Sequence, residues 1–107
     1  MGLSVKLCRI GTVRERIYKN LLGRARNNLV GLSHETLTPP GRVAEVVADM
    51  IEERVLGSEF YRIGRTEGSL NINIDVWYRL AWKESEEQNK MVVGLLRGYA
   101  KEHGKDY

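Results

Sequence analysis

The sequence predicts an α+β two-layer domain with element order β-α-α-β-β-α, its helices packed on one face of a small antiparallel sheet. Three observations carry that expectation. From Leu70 to Trp82 every even position is apolar, and an alternation of period two becomes a single buried face only on a strand. Two stretches place apolar residues at helical spacing just after capping-box signals, Thr12 with Glu15 and Ser85 with Gln88. A length of 107 residues with 42% hydrophobic content suits one core, so residues 1–107 are read as a single α+β domain.

Taken in order, Leu3, Val5 and Leu7 alternate with polar neighbours and predict a short first strand ended by Gly11. The Thr12 cap starts a helix predicted to run from Val13 to Val30. Ile17, Tyr18, Leu21, Leu22, Ala25 and Leu29 share one arc, and Arg16, Lys19, Asn20, Gly23, Arg26 and Asn27 share the other. Gly31 is expected to close that helix, with a loop over Ser33 to Thr38. Pro39 and Pro40 then suit a helix start, because the first turn leaves its amides unpaired in any case. The second helix is expected to reach about Leu56, with Val43, Val47, Met50, Ile51 and Val55 facing the core and Glu45, Asp49, Glu52 and Glu53 outward. Glu59 to Arg65 and Leu70 to Trp82 are expected to pair as a hairpin around Thr66-Glu67-Gly68-Ser69. In the last helix Met91, Val92, Leu95, Leu96 and Tyr99 form the predicted apolar side, and Gly104 is the expected stop.

The net charge of +3 conceals a polarity. Residues 1–32 hold seven basic side chains against the single acid Glu15, a net +6, while residues 33–107 carry a net −3. A basic stripe on an amphipathic helix predicts a polyanionic or acidic partner, because cations at helical spacing can track phosphates or carboxylates. The candidate nucleic-acid-binding residues are Arg14, Arg16, Lys19, Asn20, Arg26 and Asn27, with an acidic protein surface as the alternative partner. The outward positions of the long strand, Asn71, Asn73, Trp77 and Arg79, are the candidate interface, since Trp and Arg are enriched where proteins meet. Through it the chain is expected to form a homodimer or to act as an interaction or inhibitory module.

The exclusions are as informative. One cysteine, Cys8, forms no internal disulfide and, with only His34 and His103, makes no zinc-finger ligand set. The expected metal and cofactor content is therefore none, and a solitary thiol suits a reducing, cytoplasmic setting. Apolar runs are too short for a membrane span or a signal-peptide core. No phosphate loop, nucleotide-binding glycine pattern or nucleophile elbow occurs, so a non-enzymatic binding protein is the leading expectation. An RNase using Tyr61, Arg62, Arg65 and Arg79 is the enzymatic alternative. In its β-α-α-β-β order, size and basic helix the chain loosely resembles the small ribosome-dependent RNase toxins, a likeness that rests on no shared motif. Gly94 and Gly98, four apart in the last helix, cost helix stability and imply close approach of a backbone or partner.

Overall fold

A computed structural model describes residues 11–60, 71–80 and 86–103. Among the described residues seven elements follow one another: α1 Val13–Arg24, β1 Asn27–Asn28, α2 Leu29–Glu35, α3 Pro40–Glu52, β2 Leu56–Phe60, β3 Val76–Leu80 and α4 Glu86–His103. The three strands form an antiparallel sheet in the order β1-β3-β2. The α+β class and the packing of helices against a small antiparallel sheet are as the sequence predicts. The expected first strand at Leu3 to Leu7, the hairpin turn and the Ser85 cap lie outside the described residues.

The capping box forms as its spacing requires: the Glu15 amide donates to Thr12 Oγ1 at 3.1 Å, and the Thr12 amide donates back to the Glu15 carboxylate at 3.1 Å. The helix it starts is shorter than its apolar period implies. Instead of running to Val30 it stops at Arg24, where Ala25 turns to φ 72°, and the chain gives one short strand before α2 begins. The cause is the Asn27-Asn28 pair. Asn28 caps α2 by accepting from the Gly31 amide at 2.9 Å, and the Asn27 side-chain carbonyl accepts from the Asn28 amide at 2.9 Å. Short amide side chains that bond the local backbone compete with helix continuation. Gly31 therefore lies inside α2 rather than ending α1. A Cβ there would sit 2.0 Å from Asn27 Oδ1, so glycine is required by close approach.

The expected loop over Ser33 to Thr38 is helical as far as Glu35, in α2, and the helix predicted to follow it, α3, ends early, at Glu52 rather than near Leu56. Arg54 takes φ 65°, its amide donates to Ile51 O at 2.9 Å, and the Val55 amide donates to Met50 O at 2.8 Å. This is a Schellman ending with arginine in the left-handed position that glycine usually fills. It releases Leu56 into β2, which pairs with β3 in the register Leu56↔Leu80, Ser58↔Tyr78 and Phe60↔Val76. The long strand is likewise shorter than its alternation. Residues 71–75 form a turn in which Asn71 Oδ1 accepts from the Asn73 amide at 2.9 Å and the Asp75 carboxylate accepts from the Asn71 amide at 2.7 Å. Period two is satisfied across this turn by residue type alone. Asn71 and Asn73 consequently do not share the strand face of Trp77 and Arg79.

The core lies between the inner sheet face and the helices. Val76 and Tyr78 of β3, Leu56 of β2, Ile17 and Leu21 of α1 and the apolar side of α3 are buried together. The last helix contributes Val92, Val93, Leu96 and Ala100. Of its predicted apolar side, Met91 and Leu95 instead face outward, 48% and 39% exposed.

Tyr78 and Arg54 each carry an unpaired or strained group. The Tyr78 hydroxyl is fully buried and has no hydrogen-bond partner among the described residues. Tyr78→Phe should be neutral or stabilising by about 1 kcal/mol in chemical denaturation, since it removes a desolvated group that gains nothing. Burial also pushes the Tyr78 phenol up. The native state therefore keeps it neutral while the unfolded chain ionises above about pH 10, so stability falls as pH rises past that point. Tyr78→Phe should make that alkaline fall shallower, and an unchanged fall would contradict the assignment. Arg54→Gly should raise stability by about 1 kcal/mol, because glycine alone adopts a positive φ without steric cost. The exposed Arg54–Glu86 ion pair lost with it contributes little.

A groove beside the first helix

Helix α1 divides its side chains among three surroundings. Ile17 and Leu21 enter the core. Arg16, Asn20 and Arg24 turn toward α2 and the loop after it, and Arg14, Tyr18 and Lys19 turn toward the end of α3. Charge on the first polar flank is spent inside the molecule. Arg16 donates to Thr36 O at 3.2 Å, Gly11 O at 3.1 Å and Thr38 Oγ1 at 3.1 Å, tying the α2–α3 loop to the start of α1. Glu35 is a common acceptor. It takes hydrogen bonds from Asn20 at 2.8 Å, Arg24 at 2.8 Å and Asn27 at 3.2 Å, and Asn27 also donates to Asn20 Oδ1 at 2.9 Å. Asn27 is only 3% exposed, so its amide is a structural group and not one a ligand can reach.

On the other flank a groove of about 560 Å³ opens between α1 and the α3–β2 connection, lined by Arg14, Glu15, Tyr18, Lys19, Met50 and Val55. The Schellman ending builds its floor: Met50 and Val55 are the two positions that this motif commonly brings into apolar contact. Tyr18, 43% exposed, forms a wall. Arg14 and Lys19 supply cations at the rim. Arg14 donates to Glu53, whose carboxylate raises the guanidinium above its ordinary value and fixes it beside the groove. Lys19 is exposed and makes no ion pair among the described residues.

The six candidate polyanion-binding residues are thus not one stripe. Arg14 and Lys19 border the groove. Asn20 and Asn27 brace the α1–α2 corner, Arg16 ties the α2–α3 loop to the start of α1, and Arg26 lies past the helix, 3.4 Å from the Glu59 carboxylate and 5.8 Å from the centre of the Trp77 ring. In the candidate interface, Trp77 and Arg79 share the outward face of β3, with Asn28 and Glu59 opposite Trp77 and Gly57 opposite Arg79. Arg79 reaches Glu59 at 3.5 Å. The candidate RNase residues Tyr61, Arg62 and Arg65 lie outside the described residues. His34 is exposed, and His103 stacks on Tyr99 with ring centres 3.9 Å apart. Among the described residues there is no cluster of three or more metal-ligating side chains, and no helix is long and apolar enough to cross a membrane.

Sequence periodicity assigns Met50 and Val55 to the core, where Met50 is buried and Val55 packs against it, but it also places Tyr18 on the apolar arc although Tyr18 is exposed, and so misses the groove they line. The signal that locates it is the end of α3, which a non-glycine residue in the left-handed conformation conceals. Comparison with known proteins finds no matching family model, and neither a curated protein nor a solved structure matches the chain.

The Glu35 node yields a stability prediction. Glu35→Ala leaves the buried Asn27 amide with one acceptor fewer and frees Arg24, and should cost about 1–3 kcal/mol in urea unfolding. A cost below about 0.5 kcal/mol, the level of an ordinary surface substitution, would show that the node is not structural.

Proposed function

We propose that the protein is a non-enzymatic binding protein that takes an acidic segment of a partner protein, anchored by an apolar side chain, in the groove beside α1. The carrying observation is the composition of that groove: Val55 over the buried Met50 as an apolar floor, a Tyr18 wall, and a rim where Arg14 is paired with Glu53 and Glu15 is held in the capping box, leaving Lys19 as the cation for a partner's carboxylate. Its volume of about 560 Å³ suits one or two apolar side chains and falls within the usual range of roughly 300–1,000 Å³ for ligand sites. Tyrosine and arginine are the residue types that most often dominate binding energy.

The acidic protein segment is preferred to a phosphate backbone for an electrostatic reason. Phosphate tracking needs a row of cations that exchange counterions for phosphates. Along α1 and the residues after it, Arg16, Arg24 and Arg26 already serve carbonyls or carboxylates of the same chain. Tracking a phosphate backbone there would require each of those contacts to be given up, whereas one carboxylate meeting Lys19 at the groove requires none.

Short peptides carrying one leucine or aromatic residue among aspartates and glutamates, compared with single-stranded and duplex oligonucleotides, test this reading by fluorescence anisotropy. Saturable peptide binding is expected, weakening at least about tenfold in Tyr18→Ser and in Lys19→Glu. Binding to oligonucleotides alone, falling steeply with salt, would contradict the protein-segment reading and favour the phosphate one.

A further inference from the structure

The outward face of α4 is built of residues with no evident task inside their own chain. Met91 and Leu95 are exposed large apolar side chains, and Gly94 and Gly98 lie among them. A Cβ at either glycine would meet no atom within 4 Å, so neither is kept to admit a neighbour within the monomer. Each nevertheless weakens an 18-residue helix, because glycine is among the poorest helix formers. Glu87 and Lys101 flank the same face, exposed and without an ion-pair partner among the described residues.

The spacing of these residues specifies a partner. Residues seven apart in sequence share a column of a helix surface, so the face has three columns: Glu87, Gly94 and Lys101; Met91 and Gly98; and Leu95 with the exposed Glu102 and with Gln88, whose side chain turns inward to donate to Ser58 O. A two-fold axis passing between Gly94 and Leu95 lays a second copy of α4 antiparallel to the first and sets each column against itself. In the first column glycine meets glycine, permitting close approach, and each Glu87 comes opposite the other copy's Lys101. In the middle column each Met91 covers the other copy's Gly98. In the third, the two Leu95 side chains meet. In the first two columns acid therefore faces base and large faces small, and the helix dipoles oppose. This is the self-complementarity that an isologous interface demands.

We propose that α4 is a homodimerisation surface and that its occupant is α4 of a second copy, antiparallel, with Met91 seated over Gly98 and Glu87 paired with Lys101. The surface lies on a different helix from the groove beside α1, and the proposal does not depend on what that groove binds.

Sedimentation equilibrium of the full chain over a range of concentrations is the test. The parent protein is expected to show a reversible monomer–dimer equilibrium. Gly94→Gln with Gly98→Gln should raise the thermal midpoint, since both side chains enter open space on a helix, and should shift the equilibrium to monomer. Glu87→Lys should weaken the dimer by about three- to tenfold, as expected for removing two exposed symmetric ion pairs. Adding Lys101→Glu to the same chain should restore the affinity by exchanging the charges. A parent monomeric throughout, a dimer indifferent to the glycine substitutions, or a charge exchange that fails to restore affinity would each overturn the proposal.

Discussion

The arrangement depends on one close approach, the Asn27 side chain lodged where the Cβ of residue 31 would be. Asn27 Oδ1 would lie 2.0 Å from such an atom. Because residue 31 is glycine, Asn27 can be buried, accept from the Asn28 amide, and donate to Asn20 and Glu35. These bonds stop α1 at Arg24 and place Asn27 and Asn28 beside Tyr78 and Trp77 of β3. They also set the direction of α2. Without that corner α1 would continue to Val30, as its apolar period alone implies, and its basic residues would stay on one exposed stripe.

The corner also decides what the basic charge can do. Its seven cations against one acid make residues 1–32 look like a ligand-seeking surface. Folding brings acids from elsewhere in the chain to them: Glu53 to Arg14, Glu35 to Arg24, Glu59 to Arg26. Exposed pairs of this kind add little stability each, yet they offset three of those seven cations. Lys19, at the rim of the groove, makes no ion pair among the described residues. The ending of α3 creates the groove, so the fold's second irregularity positions the candidate site.

Legibility in the sequence followed the range of the forces concerned. The α+β class, the Thr12–Glu15 capping box, the proline start of α3 and the core positions Val43, Val47, Met50 and Ile51 rest on local chemistry and periodicity, and the structure has them as expected. The failures share one cause. At Ala25 and Arg54 the chain takes positive φ without glycine, and at Asn71 to Asp75 side-chain bonds make a turn inside an alternating pattern. Period counting detects which residues are apolar, not where a short amide or carboxylate captures the backbone. The groove was hidden for that reason. The α4 face was partly visible, because Gly94 and Gly98 stand out as costly, but only the exposure of Met91 and Leu95 shows which side of the helix they mark.

The corner is tested most directly by a thermodynamic cycle on residues 27 and 31, read by urea unfolding. Gly31→Ala in the parent chain should be strongly destabilising, since the added methyl displaces a buried amide. In an Asn27→Ala background, where that amide is gone, the same substitution should cost little, giving a coupling of at least about 1 kcal/mol between the two sites. Equal costs for Gly31→Ala in both backgrounds would contradict the account, because Asn27 and residue 31 would then not share the space on which the corner depends.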